Sequence, residues 1–368
     1  MSDQLLVGTG KGLFMWRRDG AGGWRQAAVH FLGAPVSAAL ADPRSGTLYA
    51  ALGCGRGVRL WRRRPRDADW DGCGLPAYPP QLVSGAGPGG LALQRIWVLE
   101  AGGPDDPGAL WAGTMPGGLF RSADEGGNWA LNRPLWERPE RRAWAGHGSE
   151  VPGIHSVCVD PHDSRHVTIA VSCGGVWQTR DSGISWVRTV TGMAPSRDEH
   201  GQHQDPLRLV QCAGHAHAMW VQHRGGMFRS GDAGMTWQRL RAGTAGTAGM
   251  AGMLGTAGFG LTVAAHPHRP NTAWFVPLAA DHCRVPVDGR LAVSRTRDGG
   301  RSFEPCDDGL PAAPVYDVVD RHGLAVDNSG ECLALGSTTG SLWMSENGGE
   351  HWKLLTAHLP PVHCLRFC

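Results

Sequence analysis

The chain has 368 residues, 41% of them hydrophobic, and a formal net charge of +2. That composition supplies a sizeable core, and the balance of charge leaves no electrostatic footprint for nucleic acid or an anionic membrane surface. No apolar run approaches the roughly 20 residues that a spanning helix needs. The ten cysteines contain no C-x-x-C pair, and the opening MSDQ runs straight into strand-like LLVG without a charged-then-apolar leader. Free thiols in a cytoplasmic setting are therefore expected.

Taken in order, the chain is a series of short apolar runs separated by Gly, Pro and Asp turns, recurring with a period of roughly fifty residues. Residues 4–28 hold three strands of a four-strand unit and lack its first. Complete units follow at 36–72, 96–131, 153–187, 206–240, 258–304 and 320–355, and 362–367 reads as a lone first strand. Four strands per unit of this length describe a propeller blade. The two partial units predict an all-β, seven-bladed propeller in one domain, closed by pairing the N- and C-terminal strands, which removes exposed sheet edges. The connections at 131–152, 187–205 and 241–257 are longer than turns; the last, rich in Ala and Gly, is expected to be a mobile loop.

One octet marks the end of most units. It reads TRDSGISW at 179–186 and SGDAGMTW at 230–237, with variants SADEGGNW at 122–129, TRDGGRSF at 296–303 and SENGGEHW at 345–352. Each copy combines a hydroxyl, an acid or amide, a Gly and an aromatic residue. In a hairpin turn the Asp or Asn accepts backbone N–H bonds, the Gly supplies a left-handed dihedral, and the aromatic plugs into apolar neighbours. The pattern S/T-x-D-x-G-x-S/T-W resembles the Asp box of BNR-repeat propellers, a group that includes sialidases, sortilin-like propellers and photosystem assembly factors. More narrowly, PGIH at 152–155, SCGG at 172–175, RVPVDG at 284–289 and GSTTG at 336–340 resemble a bacterial exo-sialidase-like group, whose activity that resemblance does not settle. Leu207 and Arg224 stand where it would place histidines.

Propeller topology puts the octets on the same face as the turns joining first to second strands. Their acids are structural, so chemistry is expected on the opposite face. Aligned first strands place His155, His322 and His363 at one equivalent position, facing the mouth of the central channel. Ser37, Leu207 and Leu261 occupy that position in other blades. Nearby are expected His147, Glu150, His203 and Asp205, with Cys173, His223 and the segment containing Asp281, His282 and Arg284 from turns between second and third strands. Tyr316 and Arg321 come up beside His322.

Three readings of that face follow. The first is a metal-dependent enzyme acting on a small molecule, with one Cu, Fe or Zn held by His155, His322 and His363, and His223 and His282 in reserve, because imidazole suits these ions. Asp205, Asp281, Arg284, Tyr316 and Arg321 are then candidates for substrate binding or acid–base work. The second is a glycoside hydrolase. Resemblance to sialidases implies Asp205 or Asp281 as acid, Tyr316 as nucleophile, and Arg284, Arg290 and Arg321 as a carboxylate clamp. The family's Arg-Ile-Pro motif is missing from the first blade, and its nearest echo is Arg284-Val-Pro286. The third is a scaffold for a protein partner, with 136–144 (WERPERRAW) as contact surface or as ordinary solvated loop with its aromatics packed beneath.

Overall fold

The structure, a computed structural model, describes residues 1–20, 22–54, 57–79, 92–144, 151–198, 201–240 and 258–368. Seven antiparallel sheets of at least four strands form a ring. Blade 2 shows the plan: Val36–Ala41 is innermost, Leu48–Cys54 and Gly57–Arg63 follow, and the two-residue Asp71–Gly72 is outermost. The innermost strands of blades 3 to 7 are Arg95–Ala101, Ile154–Asp160, Pro206–Gln211, Gly260–Ala265 and Leu324–Val326. Blade 6 carries an extra strand, Cys283–Pro286, on its second strand.

Closure joins the two ends of the chain. Val362–Phe367 is the innermost strand of blade 1 and pairs with Gln4–Thr9, Leu5 opposite Phe367 and Val7 opposite Leu365. The Ser2 N–H donates to Asp327 of blade 7, and the Cys368 N–H donates to the Gln4 carbonyl.

A strand sends alternate side chains to opposite faces of its sheet, and in a ring each face meets a neighbouring blade. The core is accordingly divided into wedges. Leu5 and Val7 pack with Ala334 and Leu342 of blade 7, whereas Leu6 packs with Val36 and Ala50 of blade 2. Trp220 and Phe275 share the wedge between blades 5 and 6, and Trp274 and Trp343 that between blades 6 and 7.

The five octets fold alike. The leading hydroxyl receives the Gly N–H at the fifth position: Gly126 to Ser122 at 2.9 Å, Gly183 to Thr179 at 2.8 Å, Gly234 to Ser230 at 2.8 Å, Gly300 to Thr296 at 2.9 Å and Gly349 to Ser345 at 3.0 Å. The Asp or Asn accepts the N–H four residues on, at 2.8–2.9 Å in every copy. The turn needs two successive left-handed residues, as at Ser182 (φ 59°) and Gly183 (φ 88°). A second residue without Cβ strain is what the Gly supplies. The closing Trp staples its blade to the one before: Trp186 Nε1 donates to Asn132 Oδ1, Trp237 Nε1 to the Thr189 carbonyl and Trp352 Nε1 to the Cys306 carbonyl.

These turns carry a pH signature. The hydrogen bonds from Asn128 and Ser122 hold the Asp124 carboxyl at about 2, and those from Ser185 and Thr179 do the same for Asp181. Burial opposes the shift at Asp298, but the bonds from Ser302, Thr296 and Arg301 still bring it to about 2. Folded values below the ordinary ~3.9 stabilise the fold fully above that pH and are lost as pH falls from about 4 towards 2. Melting temperature is therefore expected to drop across that window. Asn at 124, 181 and 298, imitating Asn347 of blade 7, should flatten the drop in a calorimetric pH series.

Candidate functional site

The histidine positions are built by a recurring irregularity. The innermost strands of blades 2, 3, 4 and 5 each carry one unpaired residue against the second strand: Ser37, Trp97, His155 and Leu207. His363 is skipped in the same way in blade 1, and blade 6 is irregular between Gly260 and Val263. Such a bulge re-aims the extra side chain. Here it aims along the circumference of the ring. Ser37 Oγ donates to the Ile96 carbonyl of blade 3 at 2.8 Å, and His155 Nε2 to the Pro206 carbonyl of blade 5 at 2.8 Å. Thr262 Oγ1 donates to the Arg321 carbonyl at 2.9 Å, and His363 Nδ1 to the Val36 carbonyl at 3.2 Å. In blades 2, 3 and 5 the receiving carbonyl immediately precedes a bulged residue. The side chains therefore stitch blade to blade.

These and neighbouring bonds occupy nitrogens of the expected metal set. A carbonyl only accepts, so His155 Nε2 carries the proton and Nδ1, 3.0 Å from Ser156 Oγ, accepts from that hydroxyl. Neither nitrogen has a lone pair to offer. Burial, with Arg321 and Arg208 adding repulsion, pushes its pKa down to about 3. Arg208 donates to His322 Nδ1 at 3.0 Å, which leaves the His322 proton on Nε2. Both His223 nitrogens face backbone N–H groups, Asp205 on Nε2 and Gly225 on Nδ1, each at 2.9 Å, and burial takes its pKa to about 4. His282 is exposed. Among the described residues no three His, Cys, Asp or Glu side chains converge on a point that could hold an ion.

The acid and arginine candidates separate into those brought together and those not. Asp205, 2% exposed, receives the Cys173 N–H at 3.0 Å and Arg224 Nε at 2.7 Å. Arg224 also reaches Asp281, and Asp281 takes Arg284 Nη2 at 2.8 Å. Arg224, read in the sequence only as a departure from a resemblance, is thus the hub joining Asp205 to Asp281, and through it to Arg284, across blades 5 and 6. Burial alone would raise the Asp205 pKa, but the Arg224 charge and the Cys173 N–H outweigh it and hold it below the usual range. Tyr316 is 66% exposed, Arg290 pairs with Asp307 at 2.7 Å, and the Arg321 guanidinium lies 5.0 Å from the Trp97 ring centroid. The three arginines of the expected clamp have three separate partners. In 136–144, Arg141 lies 3.2 Å over the Trp136 ring, while Trp136 packs on Tyr78 and the buried Trp144 on Trp177, so the aromatics are packed beneath the segment. His147, Glu150, the His203 side chain and the stretch 241–257 lie outside the described residues.

A cavity of about 1120 Å³ runs along the axis. Trp97, Arg208 and His322 line its deep end. Its other end reaches exposed residues of the first-to-second-strand turns, Pro43, Pro104, Ala213 and Asn328. This cavity therefore reaches the face that carries the octets, not the opposite one. Arg208, His322 and Arg366 keep some surface on the cavity while protein surrounds them on their other sides. Arg366 Nη2 meets Glu100 at 3.0 Å, and that charge raises the Arg366 pKa. Burial, then repulsion from Arg366, lowers that of Arg208 to about 10. Burial and the Arg208 charge keep His322 neutral.

No known protein-family profile and no curated protein matches this sequence. Solved structures do. A GH74 xyloglucanase from Xanthomonas campestris superposes with a TM-score of 0.55 at 17% identity, over 88% of this chain and 45% of that one. An ancestral GH74 enzyme gives 0.56 at 17%, over 84% and 36%. YCF48 bound to D1 peptide gives 0.54 at 13%, over 94% and 90%. The chain spans less than half the length of the two GH74 chains. The likeness is one of fold: this is a seven-bladed β-propeller.

Removing one stitch tests the new role of the histidines. His155→Leu leaves the Pro206 carbonyl without its donor and the Ser156 hydroxyl proton without its acceptor, and an orphaned buried polar group costs about 1–3 kcal/mol. Denaturant unfolding should show a loss of that size. His282→Leu should not reproduce it, since that side chain is exposed. The sequence offered no signal for Arg208, Glu100 or Arg366. They belong to different blades, and only ring closure brings them together.

Proposed function

We propose that this chain is a non-catalytic binding propeller whose axial cavity takes a small molecule. The observation that carries this reading is the cavity itself. It extends from exposed turns to the Arg208–His322 pair, and its volume of about 1120 Å³ is slightly above the ~300–1,000 Å³ usual for small-ligand pockets. The state of the titratable groups supports binding over turnover. A glycoside hydrolase, the reading that likeness to GH74 brings, needs one carboxyl kept protonated and another free. Asp205 and Asp281 instead share Arg224, and Glu100 holds Arg366. YCF48, solved with a peptide bound, supports ligand binding as a use of this architecture, and a protein partner remains the competing occupant.

The test is native mass spectrometry of the protein after incubation with a fractionated small-molecule extract. The wild type should retain one molecule per chain. The Ala213→Trp/Asn328→Trp variant, which narrows the exposed mouth, should retain it at least fivefold more weakly. Binding indifferent to the plug would remove the cavity from consideration. Recovery of a chemically altered molecule would replace binding with catalysis.

A further inference from the structure

Resting on that reading of the cavity, we infer that its deep end is a subsite for an oxyanion on the ligand, a carboxylate or phosphate, gripped by Arg208 with Arg366 beside it.

Several buried guanidiniums are answered by a carboxylate. Arg44 meets Asp42, Arg224 meets Asp205, Arg295 meets Glu304 and Glu350, and Arg366 meets Glu100. Among the described residues, Arg141, Arg229 and Arg321 lack a carboxylate but lie over the Trp136, Trp220 and Trp97 rings; Arg208 has neither. Its Nη1 donates to a neutral imidazole, its Nε is buried without a partner, and no carboxylate among the described residues lies within ion-pair distance. It occupies the innermost strand of blade 5, on the cavity, close enough to Arg366 for each to feel the other's charge. His322 adds no positive charge, and Glu100 is already committed to Arg366. The deep end therefore holds two guanidinium charges against one carboxylate.

An uncompensated charge out of water is costly, and a planar guanidinium fork is suited to two oxygens of a carboxylate or phosphate. The imidazole holds one arm of the fork in place, which pre-orders the remaining donors. Val98, Val157 and Leu209 line the cavity near this level, and Asp42 and Arg44 lie towards the rim. A ligand seated this way has its acid group at the deep end, an apolar middle, and a polar end at the turns.

Isothermal titration at constant ionic strength provides the test, using succinate, inorganic phosphate and, as the uncharged control, succinamide. One anion per chain is expected to bind, succinamide not at all, and the stronger of the two anions identifies the head group. Arg208→Gln should weaken binding at least tenfold and Arg208→Lys less. Arg165→Gln, at an exposed position of the strand Asp163–Val171 and away from the cavity, should change nothing. Unliganded Arg208→Gln should melt at or above the wild-type temperature, because the uncompensated charge is gone; melting well below it would make Arg208 a structural residue and overturn the subsite. Equal anion binding by wild type and Arg208→Gln would overturn it too. If an uncharged molecule from the extract occupies the cavity in both proteins while neither anion binds, the subsite falls and the binding function stands. If nothing binds, both fall.

Discussion

A chain ending at residue 360 is expected to show no cooperative unfolding transition. The missing strand, Val362–Phe367, supplies the innermost position of blade 1 and the whole ladder to Gln4–Thr9. Val362 is fully buried, and Cys364 and Leu365 nearly so. They fill wedges against blade 7 on one side and blade 2 on the other. Removing a large buried apolar side chain costs about 2–5 kcal/mol, so losing several together is comparable to the whole ~5–15 kcal/mol by which domains are stable, before the lost ladder is counted. The cut would also expose the Gln4–Thr9 edge. Circular dichroism melting of the truncated chain, with and without a synthetic 361–368 peptide, checks both points: the transition should be absent alone and return with the peptide. A sharp transition in the truncated chain by itself would mean that the ring does not depend on its closure.

Arg224→Met has the second largest expected effect. It withdraws the hydrogen-bonded cation from Asp205, whose side chain is 3% exposed, and breaking a buried pair from one side costs about 3–5 kcal/mol. The pH dependence gives this loss a signature. In the wild type the Asp205 pKa is held below its unfolded value, so its contribution is present above that value and fades as pH falls. In the variant burial is left to dominate and the folded pKa rises. The variant then gains relative stability below the unfolded value and loses it as pH climbs through the folded one. Unfolding free energies from pH 4 to pH 8 should show the gap between the two proteins widening with pH. The Asp205→Asn/Arg224→Met double variant should recover much of the deficit, since no buried carboxylate is left without a partner. A deficit of constant size across the range would assign the effect to packing alone.

The octets were legible because their chemistry is local. The bonds from Gly183 to Thr179 and from Ser185 to Asp181 close within four residues, so the turn can be read from eight letters. Its repetition, with a lone strand at one end and a three-strand remainder at the other, also implied the closed ring. Asp205, Asp281 and Arg284 were placed on one face by the same topology, and they do meet there. The bonds of the histidines were not legible, because equivalent positions in a ring look like convergence on its axis. A bulge turns His155 and His363 sideways into the seams between blades, and that depends on ladder register, which no single strand displays. Arg224 and Arg208 carry no motif, and the partner of each lies in another blade or on another strand. Short-range hydrogen bonding and the alternation of apolar residues were enough for the sequence to determine a seven-bladed ring. Which charges are answered and which are left facing a cavity was decided only when the ring closed, because residues such as Glu100, Arg208, His322 and Arg366 become neighbours through tertiary structure alone.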